Sequence, residues 1–125
     1  MSFSVLIRTH NRHNHLEIAL NSVLEQKILP KEIFVLDDLN QEEVKKIICD
    51  LKKNKLVEIF YINTQNQYNS LRNLNIISEQ SKSEFIAFLD DDDTWDSSYL
   101  GENFNLLISE NIDIIYTNFN MIFEN

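Results

Sequence analysis

One glycine, Gly101, serves all 125 residues. The glycine-rich phosphate cradles of dinucleotide-binding βαβ units and of P-loop hydrolases need two or three glycines at fixed spacing, so both are excluded. A nucleophile elbow fails for the same reason, and nothing else in the chain points to Ser-His-Asp chemistry.

Hydrophobic residues make up 43% of the chain and charged residues 25%, the mix of a soluble globular domain. The length suits a single domain over residues 1–125, with a core that needs no disulfide or metal staple. Eleven basic residues face 20 acidic ones, a net charge of −9. A surface so acidic repels a phosphate backbone, which argues against nucleic-acid partners. Any phosphate bound must be met by a few placed basic groups or by a bridging cation. The one cysteine, Cys49, permits no internal disulfide and no cysteine-rich zinc site, which suits a reducing compartment. No apolar run approaches ~20 residues and no basic-then-apolar leader opens the chain, so the expectation is a cytoplasmic protein without a membrane span.

Short apolar runs alternate with amphipathic ones. Phe3 to Ile7 reads as a buried strand, and Leu16, Ala19, Leu20, Val23 and Leu24 then recur at helical spacing, from near Asn14 to before Pro30. Ile33 to Leu36 is a second strand, followed by a helical stripe at Val44, Ile47, Ile48 and Leu51; Cys49, beside Ile48, is placed on its apolar side. Val57 to Ile62 alternates as an outer strand does, and the polar stretch TQNQYN leads to a third stripe at Leu71, Leu74 and Ile77. Phe85 to Leu89 has no polar residue and is expected at the centre of the sheet. A fourth helix carries Leu100, Phe104, Leu107 and Ile108, and Ile112 to Tyr116 reads as a last strand. Such alternation predicts an α/β fold, a Rossmann-like mostly parallel sheet with helices on both faces.

In such sheets ligands bind beyond the carboxyl ends of the strands. After the first strand come Arg8, Thr9, His10, Asn11 and Arg12; after the second, Asp37 and Asp38; after the fourth, Asp90 to Asp93. Every strongly polar cluster falls on one rim. Carboxylates this close disfavour one another's ionised form unless a cation neutralises them, and hard oxygen ligands suit Mg²⁺ or Mn²⁺ held together with substrate phosphates. Asp37 and Asp38 fit two roles: Asp38 or Asn40 caps the next helix, or a carboxylate there accepts hydrogen bonds from a base or ribose. Arg8 and Arg12 are placed to balance the acids or to touch phosphate. His10, His13 and His15 crowd one loop without a distant partner, which argues against zinc. Trp95 reads as a packing residue that anchors the loop after the acids, or as a cover over a ligand.

The ordered set SVLIRTHNR, SVLEQ, EIFVLDD, SLRN and EFIAFLDDDDTW resembles the family 2 glycosyltransferases of the GT-A fold. The resemblance implies a domain that binds a nucleotide-diphosphate sugar with Mn²⁺ or Mg²⁺. It implies nucleotide contacts for Thr9, His10 and Asn11, a base contact for Asp38, a place on or near the base for Arg72, a ribose neighbour in Asp91, and metal ligation by Asp90 and Asp92. The family's reaction is an inverting displacement at the sugar by an acceptor hydroxyl. It implies a sugar, lipid-linked or protein acceptor in polysaccharide or glycolipid synthesis, at the inner face of the membrane if peripheral to it.

The chain departs from the family pattern in carrying Arg8 for Pro, His10 for Tyr, Leu39-Asn40 for Gly-Ser, and no Gly before SLRN. Each lost glycine removes an easy positive-φ position, so those loops are expected to differ in shape. The family's acceptor half and catalytic base are expected to be absent, so no catalytic residue is named, and the apolar surface left behind suits a homo-oligomer. Two rivals remain: a non-catalytic nucleotide-sugar-binding fragment, and an Mg²⁺-dependent phosphoacceptor receiver module. For the receiver the acid pair follows the wrong strand, and Ile112 to Asn125 offers no lysine.

Overall fold

The structure, a computed structural model, describes residues 2–65 and 70–123, with backbone alone at residues 70 and 71. Four βα units follow one another: β1 (Phe3–Thr9), α1 (His13–Leu24), β2 (Glu32–Asp37), α2 (Glu42–Lys52), β3 (Glu58–Asn63), α3 (Ser70–Gln80), β4 (Phe85–Asp90) and α4 (Tyr99–Ser109). Residues 66–69 of the polar stretch before α3, and the side chain of Leu71, lie outside the described residues.

The strands form one parallel sheet in the order β3-β2-β1-β4. The chain steps outward from β1 to β3, then returns past β1 to place β4 on its other side. The switch point of this winding is between β1 and β4, where a crevice opens at the strand ends. A receiver module has the order 2-1-3-4-5, so this sheet excludes that rival.

Strand alternation sorts the core into two layers. Val5, Ile7, Ile33, Val35, Ile59 and Leu89 face α1, α2 and α4, packing on Leu16, Leu20, Val23, Val44, Ile48, Leu100 and Leu107. Leu6, Phe34 and Leu36 face the other way, onto Ile77 of α3. Helices therefore cover both faces, as the alternation predicts. Phe34 and Phe60 stack across β2 and β3 with centroids 5.1 Å apart.

Three expectations fail here. β4 is an edge strand among the described residues, with Phe88 55% exposed, whereas β1 and β2 hold the centre. An apolar run reports burial on two faces but not which strands flank it, and among the described residues no strand lies beyond β4. Residues 112–116 form no strand. Asn111 takes φ 51° just past α4, and the amides of Asn111 and Ile112 return to the carbonyls of Ile108 and Leu107 at 3.4 and 3.1 Å. This left-handed stop turns the chain away from the ladder. Cys49 is exposed rather than on the apolar side. Val44, Ile48 and Leu51 make the inward stripe of α2, and one residue beyond Ile48 is a rotation of about 100° off it.

Gly101 sits inside α4, where its conformational freedom is not used: all positive-φ residues described are Asn11, Asn40, Lys55, Gln65 and Asn111. A Cβ at Gly101 would meet Cδ1 of Ile28 at 3.1 Å, the far end of an exposed side chain that can swing aside. Gly101→Ala is expected to stabilise the fold by about 0.5–1 kcal/mol, read as a higher urea midpoint at unchanged slope.

Candidate functional site

The parallel register sets the site. Arg8 lies opposite Asp90 and Thr9 opposite Asp37, so β1, β2 and β4 end level with one another and discharge their polar residues at one rim. There Arg8, Thr9, His10, Arg12, Asp90, Asp91 and Asp92 line a cleft of about 590 Å³.

After β4 the chain makes a tight turn, closed by the Asp93 amide on the Asp90 carbonyl at 3.2 Å. The turn brings Asp90, Asp92 and Asp93 together, one carboxylate oxygen from each lying within 4.8 Å of the others. Asp91 is not part of this group and is buried. Its Oδ1 accepts from Arg12 and its Oδ2 from the His10 amide, each at 3.4 Å, tying the β4 turn to the β1 loop. Arg12 also donates to Asp92 at 2.5 Å and so neutralises part of the run. Crowding shows in Asp93, whose pKa is raised by partial desolvation first and then by Asp92 and Asp90. The three oxygens fit a hard divalent ion, whose charge would relieve that repulsion.

After β2, the buried Asp37 organises its loop. Its Oδ1 accepts from the Leu39 amide at 3.0 Å, and its Oδ2 from the Gln41 amide at 2.6 Å and the Tyr61 hydroxyl at 2.9 Å. Burial, then the hydrogen bond and charge of Asp37, push the Tyr61 phenol pKa up. Neither Asp38 nor Asn40 caps α2: its N-cap is Gln41, without a side-chain bond. Asn40 instead takes φ 55° in the turn and accepts from Tyr61.

Asp38 is held over the sheet edge by its amide on the Thr9 carbonyl at 3.2 Å and by the Thr64 hydroxyl on its Oδ1 at 2.5 Å. Its Oδ2 is buried with no hydrogen-bond partner; His10 Nδ1 stands 3.5 Å away. The hydroxyl of Thr9 is equally buried and unpartnered. Buried polar atoms without partners are uncommon and mark places where a further group belongs.

Of the residues expected to act, the structure gathers Thr9, His10, Asp90, Asp91 and Asp92 on the cleft and sets Asp38 beside it. Asn11 adopts φ 55° at the loop apex, its side chain 3.4 Å from Gln41. Arg72 is exposed on the first turn of α3 and is not among the residues that line the cleft. Its neighbour Asn73, missed in the sequence, is buried with both amide atoms unpartnered among the described residues, beside a second hollow of about 330 Å³ walled by Leu6, Leu36 and Phe88. Asp93, part of the acidic run read for a hard cation but not among the ligands the resemblance implies, joins Asp90 and Asp92 in the acidic group.

The winding order and the acidic turn at its switch point define an α/β domain with a polar crevice at the carboxyl ends of its strands. Comparison with known proteins narrows this: the Glycosyl transferase family 2 profile matches residues 4–125, and the chain belongs to that family. A relative, the GalNAc(5)-diNAcBac-PP-undecaprenol beta-1,3-glucosyltransferase of Campylobacter jejuni, is 33% identical over 72% of this chain, which spans 29% of that enzyme. Among solved structures, TarS of S. aureus in complex with UDP-GlcNAc superposes with a TM-score of 0.72 at 25% identity, over 89% of this chain and 32% of that one. The mannosyltransferase PcManGT of Pyrobaculum calidifontis, in complex with GDP-Man and Mn²⁺, shares the fold at TM-score 0.74 and 17% identity, over 85% of this chain and 32% of its own. The fold is that of GT-A glycosyltransferases, and the chain covers about a third of these neighbours. Among the described residues no helix is long and apolar enough to cross a membrane.

Folding favours the protonated form of Asp93, so stability declines as pH rises from the ordinary carboxylate value of 3.8 through the raised one. Asp93→Asn is therefore expected to melt at higher temperature than wild type at pH 7. The difference should vanish below the ordinary value, as thermal melts across the pH range would record.

Proposed function

We propose that this chain is the donor-binding part of an inverting family 2 glycosyltransferase, taking a nucleotide-diphosphate sugar together with Mn²⁺ or Mg²⁺. The observation that carries the reading is the pair of buried, unpartnered acceptors, Thr9 Oγ1 and Asp38 Oδ2, at the edge of a cleft lined by arginines and aspartates. Asp38 Oδ2 suits the ring N–H of a base, which can take the position beside it once the exposed His10 swings away. Thr9, His10 and Asn11 border the nucleotide, and Asp91 lies near the ribose edge while holding the two loops together. Arg72, on the first turn of α3, closes over the base. Asp90 and Asp92, with Asp93 beside them, hold the ion. When bound, the ion stabilises the charge that develops on the departing diphosphate.

The UDP-GlcNAc bound by TarS and the GDP-Man and Mn²⁺ bound by PcManGT support a nucleotide-sugar donor with a divalent ion. The undecaprenol-linked substrate named for the Campylobacter relative supports a lipid-linked acceptor, and with it a cytoplasmic site at the inner face of the membrane. A second reading, donor binding without transfer, is favoured by one observation. Among the described residues the carboxylates lining the cleft are Asp90, Asp91 and Asp92, and none of these is left over to deprotonate an acceptor hydroxyl. The acceptor site and base then belong to further polypeptide, or to a partner copy in a homo-oligomer.

The test is a thermal-shift panel of UDP-, GDP-, CDP- and dTDP-sugars, each with and without Mn²⁺. One donor is expected to raise the melting temperature only with metal, by several degrees at about 100 times its Kd, equivalent to about 2.7 kcal/mol. Asp92→Asn should lose the shift, and Asp38→Asn should weaken it for the preferred base. A folded wild type that answers to no donor, with or without metal, would sink the proposal.

A further inference from the structure

Gln26 comes just after Glu25, the C-cap of α1, and is a buried polar side chain, 4% exposed, whose amide nitrogen and oxygen are both hydrogen-bonded. Its Nε2 donates to the Asp96 carbonyl at 2.6 Å and the Ser22 carbonyl at 3.1 Å, while its Oε1 accepts from the Leu100 amide at 2.9 Å. One side chain thereby joins the end of α1, the loop after the acidic turn and the first turn of α4. Two neighbouring bonds run parallel to it: the Trp95 amide on the Ser22 hydroxyl at 3.2 Å, and the Lys27 amide on the Ser97 carbonyl at 2.8 Å. Trp95 then stacks on Tyr99 with centroids 4.4 Å apart, closing the loop against the core.

The clamp lies a short way along the chain from the carboxylates. Asp90 is fixed by pairing of β4 with β1, and only Thr94 separates Asp93 from the clamped Trp95. Between those two anchors, three carboxylates stand within 4.8 Å of one another and repel. A turn under that repulsion opens unless both of its ends are held, and a ligand set held in place before the ion arrives binds it more tightly. We infer that Gln26 is a positioning residue for the acidic turn: by tying Asp96 and Leu100 to α1 it keeps Asp90, Asp92 and Asp93 gathered for a divalent cation. This inference rests on the metal reading proposed above.

The experiment is a Mn²⁺ titration of the whole chain without nucleotide, followed by the electron paramagnetic resonance signal of free Mn²⁺, well below each variant's melting temperature. Gln26→Met removes all three bonds at similar volume, and Gln26→Glu keeps the acceptor for Leu100 but sets a carboxylate against the Asp96 carbonyl. Each is expected to weaken Mn²⁺ binding by about 10-fold or more, the scale typical of groups that orient metal ligands. Leu20→Ala, a core truncation far from the turn in sequence, controls for general destabilisation and should keep wild-type affinity. Should the Gln26 variants fail to fold, Ser22→Ala, which removes the Trp95 bond together with a local bond from the Ser22 hydroxyl to the Ala19 carbonyl within α1, should weaken binding in the same direction. Wild-type affinity in any folded clamp variant, or an equal loss in Leu20→Ala, overturns the inference alone. A wild type that binds no Mn²⁺ overturns the metal reading and this inference together.

Discussion

Everything at the rim depends on β1 being paired in parallel on both edges. Its residues are buried from Phe3 to Ile7, and from Ser4 to Arg8 each has a fixed partner on both β2 and β4. A slip of one residue in either ladder would exchange the two faces of the sheet, putting Ser4, Leu6 and Arg8 where Val5 and Ile7 now pack. The apolar content of the two layers forbids that slip. The same register that protects the core therefore fixes Arg8 opposite Asp90 and Thr9 opposite Asp37, and the polar residues inherit their placement from the apolar ones behind them.

The loops on this frame solve a conformational problem without glycine. Asn11 and Asn40, in the loops after β1 and β2, both take φ 55°, and Asn111 takes φ 51° at the end of α4. Asparagine tolerates the left-handed region better than other side-chain-bearing residues because its short amide can bond locally. Where the family pattern has Gly-Ser after the acid pair, the left-handed residue is Asn40, at the Ser position, and it also accepts from Tyr61; Leu39, at the Gly position, has no positive φ.

How much of this was legible in the sequence follows from what each signal measures. Periodicity measures how many faces of an element are covered, so β1, β2 and the inward stripe of α1 could be read directly. It does not measure lateral order, so the apolar Phe85 to Leu89 suggested a central strand where β4 closes the described sheet at one edge. Strand propensity at Ile112 to Tyr116 is likewise insufficient without a neighbouring ladder, and the turn at Asn111 sends the chain elsewhere. At the site, the rim clusters were visible because strands deliver charge abruptly at their ends. The division of labour among them was not. Asp37 and Asp38 are adjacent and chemically equal, yet one spends both oxygens on its own loop while the other keeps one buried and unpartnered. Long-range bonds such as Thr64 to Asp38 and Gln26 to Asp96 leave no trace in local pattern.

Charge links the donor and metal readings. The cleft sets Arg8 and Arg12 against Asp90, Asp91 and Asp92, in a chain of net charge −9. Arg12 is already engaged by Asp91 and Asp92, so it cannot turn fully toward an incoming phosphate without exposing those acids to each other. A diphosphate would therefore enter a cleft of its own sign, where unit charges about 4 Å apart interact by roughly 4 kcal/mol at the effective dielectric of a protein surface. A divalent ion at the acidic turn reverses the sign of the cleft and leaves Arg12 free to share its charge with the donor. On electrostatic grounds, the proposed diphosphate donor and the proposed cation at the acidic turn therefore support each other.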